Sequence, residues 1–190
     1  MKKTKRIQYF IQEISIVVIG VVIAVSIGNY KENEENERYI EKTLLAIENE
    51  IQLSQTEIDT VLNRHLKLYK ILENEIGEKE ETLGELISSA GGFQVASIKN
   101  VSLRFFISNK AELIDFQLIS QLLDIELKSE MLSDKIKLLS DFAYDNVNNG
   151  NDEVKVKFAY LLANVIDGEQ TLSESYSSFL EENKSFLNKK

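Results

Sequence analysis

The sequence predicts an all-α protein: an N-terminal transmembrane helix continuing or leading into an extracytoplasmic helical bundle with coiled-coil-like heptads. Three observations predict it. Residues 14–28 read ISIVVIGVVIAVSIG, an apolar run without a charge. Two later stretches place apolar residues in alternating four- and three-residue steps, the pattern of helices that pack along a seam. Proline is absent from all 190 residues, which favours long helices over sandwiches or barrels, whose turns lean on Pro and Gly.

The apolar run alone is shorter than the roughly 20 residues that a bilayer core asks for. Extended to Tyr9–Tyr30 it has tyrosines at both ends and spans about 33 Å as a helix, with the amphipathic rings at headgroup depth. Lys2, Lys3, Lys5 and Arg6 precede it, and KENEENER follows. Basic residues stay on the cytoplasmic side, so residues 1–8 are expected to form a short cytoplasmic tail. Everything after Tyr30 is then extracytoplasmic, on a single pass through the bacterial inner membrane. A cleaved signal peptide is the rival reading, with Ala24-Val25-Ser26 as a passable cleavage site. Glu13 within the segment, and the lack of a polar start after Ser26, favour an uncleaved anchor.

Gly20, Ala24 and Gly28 recur at every fourth position and share one helix face. In lipid, small residues let two backbones approach, so this face is expected to support self-association. Glu13 is the intramembrane acidic residue; near the cytoplasmic end, it can reach headgroups or the basic tail.

Four of the 22 basic and one of the 31 acidic residues precede Lys31, leaving 18 and 30 and a net charge of −12 beyond it. That sign disfavours nucleic acid or anionic lipid as partners of this region. Cysteine is absent, which excludes disulfides, thiolate chemistry and Cys-ligated metals.

Residues 31–77 are expected to form a long stalk or bundle helix. Its seam is Ile40, Leu44, Ile47, Ile51, Ser54, Ile58, Val61, His65, Leu68, Leu72 and Glu75, eight of the eleven apolar, with Gly77 as the stop. Residues 78–110 are expected to hold short helices and loops. Thr82 with Glu85 forms a capping box there, and SSAGG forms a loop. In Phe93–Asn109, Val101, Leu103, Phe105 and Ile107 alternate like a strand while Val95, Ile98, Val101 and Phe105 step like a helix; helix is the reading taken, because a lone strand would have no backbone partners. Residues 111–190 are expected to complete the bundle. One helix covers Ala111–Tyr144, with a break near Asp124 as the alternative and Leu118, Leu122, Ile125, Ser129, Leu132, Ile136, Leu139 and Ala143 on its seam. After the NVNNGND turn a third long helix carries Val154, Phe158, Leu161 and Val165 and stops at Asp167-Gly168. Thr171 and Glu174 then box the start of a last helix with the stripe Leu172, Tyr176, Phe179 and Phe186.

No catalytic, cofactor or metal site is expected. Asp145–Val156 brushes a calcium-loop pattern, but Val147 and Val156 stand where ligands belong. His65 is the sole histidine and cannot build a typical metal site alone. It reads, with Ser54, as a polar seam position that fixes register; if it only packs, His65→Leu should be neutral or stabilising. No phosphate loop, HExxH or nucleophile elbow is present.

The opening IQEISIVVIGVVIAVSIGNYKENEENERYIEKTLLAIENEI resembles a bacterial domain-of-unknown-function family of small single-span membrane proteins. Glu13-Ile14 stands at that family's lead motif, Ile19-Gly20 and Ala24 in its span core, and Asn29-Tyr30-Lys31-Glu32 at its exit, with Gln12 for the usual Gly and Tyr30 for Trp. FQLISQLLDIELKSEM loosely resembles its second region. The resemblance implies a bacterial envelope location and no activity. The function expected is a membrane-anchored scaffold or accessory protein of the cell envelope, acting by self-association or with an envelope membrane protein. The alternative is a sensory or ligand-binding module that signals through a partner's span, because an eight-residue tail has no room for an output domain.

Overall fold

The structure, a computed structural model, describes residues 2–77, 81–110 and 113–184, with side chains from Gln12 onward except at Lys110. Among these residues lie five α-helices and no strand: α1 (Lys2–Glu75), α2 (Leu83–Ser89), α3 (Val101–Lys110), α4 (Phe116–Asn146) and α5 (Asp152–Glu182). The chain divides into two compact units, Met1–Lys42 and Thr43–Lys190.

The first unit is the apolar part of α1, long and apolar enough to cross a membrane. Every side chain from Gln12 to Glu35 is exposed, and none of the apolar run is buried within the protein. An Ile or Val left in water forgoes roughly 1.5–3 kcal/mol relative to burial, so a row of such residues calls for an apolar medium. Inside the run Ser26 Oγ donates to Val22 O at 2.8 Å, which satisfies the hydroxyl without an outside partner. Beyond it, Arg38 pairs with Glu34, and Lys31 lies 3.8 Å from Glu35.

The second unit has four legs. The first is α1 from Thr43. Its buried residues are Leu44, Ile47, Ile51, Ser54, Ile58, Val61, His65, Leu68 and Leu72, which follow the expected steps. At the far end Ile76 N donates to Leu72 O, and Gly77, at φ +86°, takes the left-handed conformation that ends helices.

The second leg returns as α2, an irregular stretch over 92–100, and α3. It runs antiparallel to α1: Ser102 contacts Glu50, Lys99 contacts Ser54, and Gln94 contacts His65. Thr82 and Glu85 form the expected capping box on α2. The helix expected over Phe93–Asn109 begins only at Val101, and it buries Leu103 and Phe106 while Val101 and Phe105 face outward. The helical stepping through Val95, Ile98, Val101 and Phe105 picked the wrong face.

The third and fourth legs are α4 and α5. They are antiparallel, joined by Gln121–Glu182, Lys128–Ser175 and Lys135–Asp167. The seam of α4 is buried from Leu118 to Leu139 as expected, while Ala143 at its end is only half-buried; α4 starts at Phe116, capped by Asp115, and has no break at Asp124, and Ala111 lies outside the described residues. α5 corrects the sequence reading, because one helix runs through Asp167-Gly168 and Thr171. A Cβ on Gly168 would sit 3.1 Å from Leu132 Cδ1, so this glycine gives close helix approach, not a stop. Leu172, Tyr176 and Phe179 are buried; Phe186 lies outside the described residues.

The NVNNGND turn also has a use. Val147 O and Asn149 O accept from Gly84 N (2.8 Å) and Leu83 N (2.9 Å), which supplies partners for the first turn of α2. A Cβ at Gly84 would lie 2.7 Å from Val147 Cγ2 and 2.8 Å from Val147 O, so only glycine fits this approach.

Candidate functional site

The polar residues of the α1 seam build the most ordered polar arrangement in the second unit. The irregular second leg has no strand partner, and α1 supplies one from side chains. Glu50 accepts from Ser102 N (2.9 Å to Oε2) and from Ser102 Oγ (3.0 Å to Oε1), placing a carboxylate at the start of α3, where the helix dipole favours it. Ser54 Oγ accepts from Lys99 N at 2.8 Å and donates to Lys99 O at 3.3 Å. The ring of His65 reaches Gln94 O through Nε2 at 2.9 Å and stacks on Phe93 with centroids 5.1 Å apart.

The other face of His65 meets Glu169 of α5. Nδ1 lies 2.9 Å from Oε1 and 3.0 Å from Oε2. The hydrogen bond is directed at Oε2, so buried Oε1 lies close to Nδ1 with no hydrogen bond of its own. An oxygen thus faces each ring nitrogen. His65 is 1% and Glu169 0% exposed; the pair is sealed from solvent and from any substrate. Its chemistry is positional: it clamps α1, the second leg and α5 together at one level.

Tyr176 of α5 closes the line. Burial is the first cause that pushes its phenol up to about 12; a hydrogen bond with Ser54 opposes the shift, and nearby Glu50 adds to it. At the far end the exposed carboxyl of Glu85 is held below its usual range by hydrogen bonds from the Thr82 backbone and side chain.

Outside the line, an open groove of about 500 Å³ lies between the second leg and α4, lined by Asn100, Arg104, Ser129, Glu130, Ser133 and Asp134 among others. Arg104 bridges Glu126 (3.0 Å) and Glu130 (2.7 Å), and Asn100 Nδ2 donates to Ser129 Oγ at 3.2 Å. Much of the polar capacity here is already spent within the protein. Among the described residues no three His, Asp or Glu side chains gather as a metal site would need.

Of the residues singled out in the sequence, Ser54 and His65 meet in this line. Gly20, Ala24 and Gly28 are exposed at four-residue spacing on the first unit, with open space where a Cβ on Gly20 or Gly28 would go. Glu13 is exposed. Sequence reasoning missed Glu169 and Glu50, and it placed Tyr176 on a packed stripe without its polar neighbours. Glu169 was hidden by Gly168 beside it, which imitated a helix end; a 3.6-residue period run through that glycine would have put Glu169 on the buried face.

The fold and this site define an all-helical protein with one helix fit to cross a membrane and a bundle pinned by buried polar side chains. Comparison with family models, curated proteins and solved structures found no match to the chain.

Proposed function

We propose that this protein is a membrane-anchored helical scaffold or accessory protein of the bacterial cell envelope, with its N-terminus cytoplasmic and its bundle outside. The observation that carries the reading lies in the first unit: an apolar helical run with none of its described residues buried, basic residues before it and Glu-rich sequence after it. Such a helix is stable in lipid and costly in water. The charge asymmetry supports the orientation. The likeness of Glu13-Ile14, Ile19-Gly20 and the Asn29–Glu32 exit to a bacterial single-span family supports the envelope assignment.

The bundle supports a structural role over a receptive one. Its buried polar groups join one leg to another, with the His65–Glu169 pair sealed inside, so they fix one arrangement of the legs. Partners then act on the outer surface, as a second copy or another envelope membrane protein.

Fractionation and a reporter test the reading. The intact chain should resist alkaline extraction from membranes at its full mass. A reporter active only outside the cytoplasm should be active when fused after Lys190. Recovery in the soluble fraction, shortening by a signal peptidase, or activity from a cytoplasmic reporter alone overturns it.

A further inference from the structure

The turn between α4 and α5 holds the chain's sole Asn-Gly step, Asn149-Gly150. An asparagine side chain is open to attack by the backbone nitrogen of the next residue, and glycine, without a Cβ, leaves that nitrogen least shielded. Asn149 is exposed, and Gly150 N has no acceptor among the described residues. The similar step Asp167-Gly168 lies inside α5, where the glycine amide belongs to the helical ladder. Only the first of these glycine nitrogens is free to react.

Two backbone donors sit where the reaction would gather charge. As Gly150 N gives up its proton, negative charge spreads to the oxygen of the same peptide, Asn149 O. Leu83 N, in the first turn of α2, donates to that oxygen at 2.9 Å. Attack on Cγ then moves charge onto Oδ1, which already accepts from Asn151 N at 2.9 Å. Asn149 N is fixed as well, donating to Asn146 O at 2.9 Å. Donors held in advance at the atoms where charge develops lower a barrier without reorganising.

We propose that Asn149-Gly150 is a self-modification site that the fold promotes, turning Asn149 into isoaspartate and aspartate. Water is the sole co-reactant. The bond from Gly150 N to Asn149 Cγ forms, the proton of that nitrogen ends on the departing amide nitrogen, and ammonia leaves a cyclic succinimide. Water then opens the ring. Cleavage at Cγ gives aspartate, whereas cleavage at the main-chain carbonyl carbon gives isoaspartate, with the chain rerouted through Cβ. Leu83 N polarises the main-chain carbonyl, so isoaspartate should predominate. The product changes the anchorage of α2. The oxygen that Leu83 N used then belongs to a free carboxylate, and the backbone is longer by a methylene. The start of α2 loses its fixed dock on the turn, while the seam between α4 and α5 stays in place. None of this depends on which side of a membrane the bundle occupies.

The test follows the full chain in detergent at mildly alkaline pH and body temperature, by peptide mass spectrometry with fragmentation that separates isoaspartate from aspartate. Asn149 should convert steadily. Asn148, exposed beside it but followed by a residue with a side chain, should stay intact. The same chain unfolded in guanidinium should convert Asn149 several-fold more slowly, because both donors are then lost. Gly84→Ala probes the Leu83 donor without touching the reacting residues: its Cβ would lie 2.7 Å from Val147 Cγ2 and 2.8 Å from Val147 O, so α2 must move off the turn. With α4 and α5 still protected in hydrogen exchange, this variant should also convert several-fold more slowly. In the converted fraction, separated by its extra negative charge, the amides of Leu83 and Gly84 should exchange faster and the core of α4 should not. No conversion at Asn149, or conversion no faster in the folded chain than in guanidinium, overturns the proposal; that comparison stands even if Gly84→Ala does not fold. An unchanged rate in a folded Gly84→Ala chain overturns it too, since Leu83 N would then take no part.

Discussion

At the level of single residues the telling pair is His65 and Glu169. His65→Leu removes the partner of a fully buried carboxylate, and breaking one side of a buried pair costs about 3–5 kcal/mol. This reverses the neutral or stabilising outcome that packing alone suggests from the sequence. Replacing both residues by leucine should recover much of the loss, since no charge is then left unpaired, and urea melts of the two variants would show the difference. If His65→Leu alone proves neutral, the pair does not bind the legs together. Tyr176 gives a second test. Its phenol titrates near 10 in the unfolded chain and about 12 in the folded protein. Below the lower value both states are protonated and its contribution is complete. Between the two only the unfolded chain ionises, so stability falls as pH rises through that window. Tyr176→Phe should flatten this alkaline decline; an unchanged slope in melts across the same range would place the cause in other groups.

At the level of elements, the four- and three-residue period was enough to find the packed faces of α1 and α4, because both are continuous helices whose seams stay on one side. Ile58 is 0% exposed on that seam, with Gln52 and Glu57 on the solvent side. Truncation of Ile58 to Ala should cost on the order of 2–5 kcal/mol, whereas Ala at Gln52 or Glu57 should change stability by about 0.5 kcal/mol or less. Equal effects would mean that the seam is not a folded core. The period failed where glycine and caps served other ends. Gly168 with Thr171 and Glu174 imitates a helix stop and restart, yet the glycine is there for the approach of Leu132. The second leg was illegible for another reason: its backbone partners are side chains 29 to 52 residues away on α1, and no local pattern carries that information.

At the level of the whole molecule, the second unit is a helical bundle in which one leg in four is partly not a helix. Three side chains of α1 do for that leg what a neighbouring strand would do in a sheet. They reach only some of its backbone. Among the described residues the amides of Val95, Ala96, Ser97 and Ile98 have no backbone acceptor, while Lys99 N is held by Ser54. The bundle should therefore keep uneven time. In deuterated water these four amides should exchange long before the cores of α4 and α5, whose amides open only with larger unfolding. Lys99, next in the chain, should be slow until Ser54→Ala frees it. The protein then carries a built-in fast spot bordered by a single hydroxyl, and mass spectra taken along the labelling course would mark where this fold first lets go.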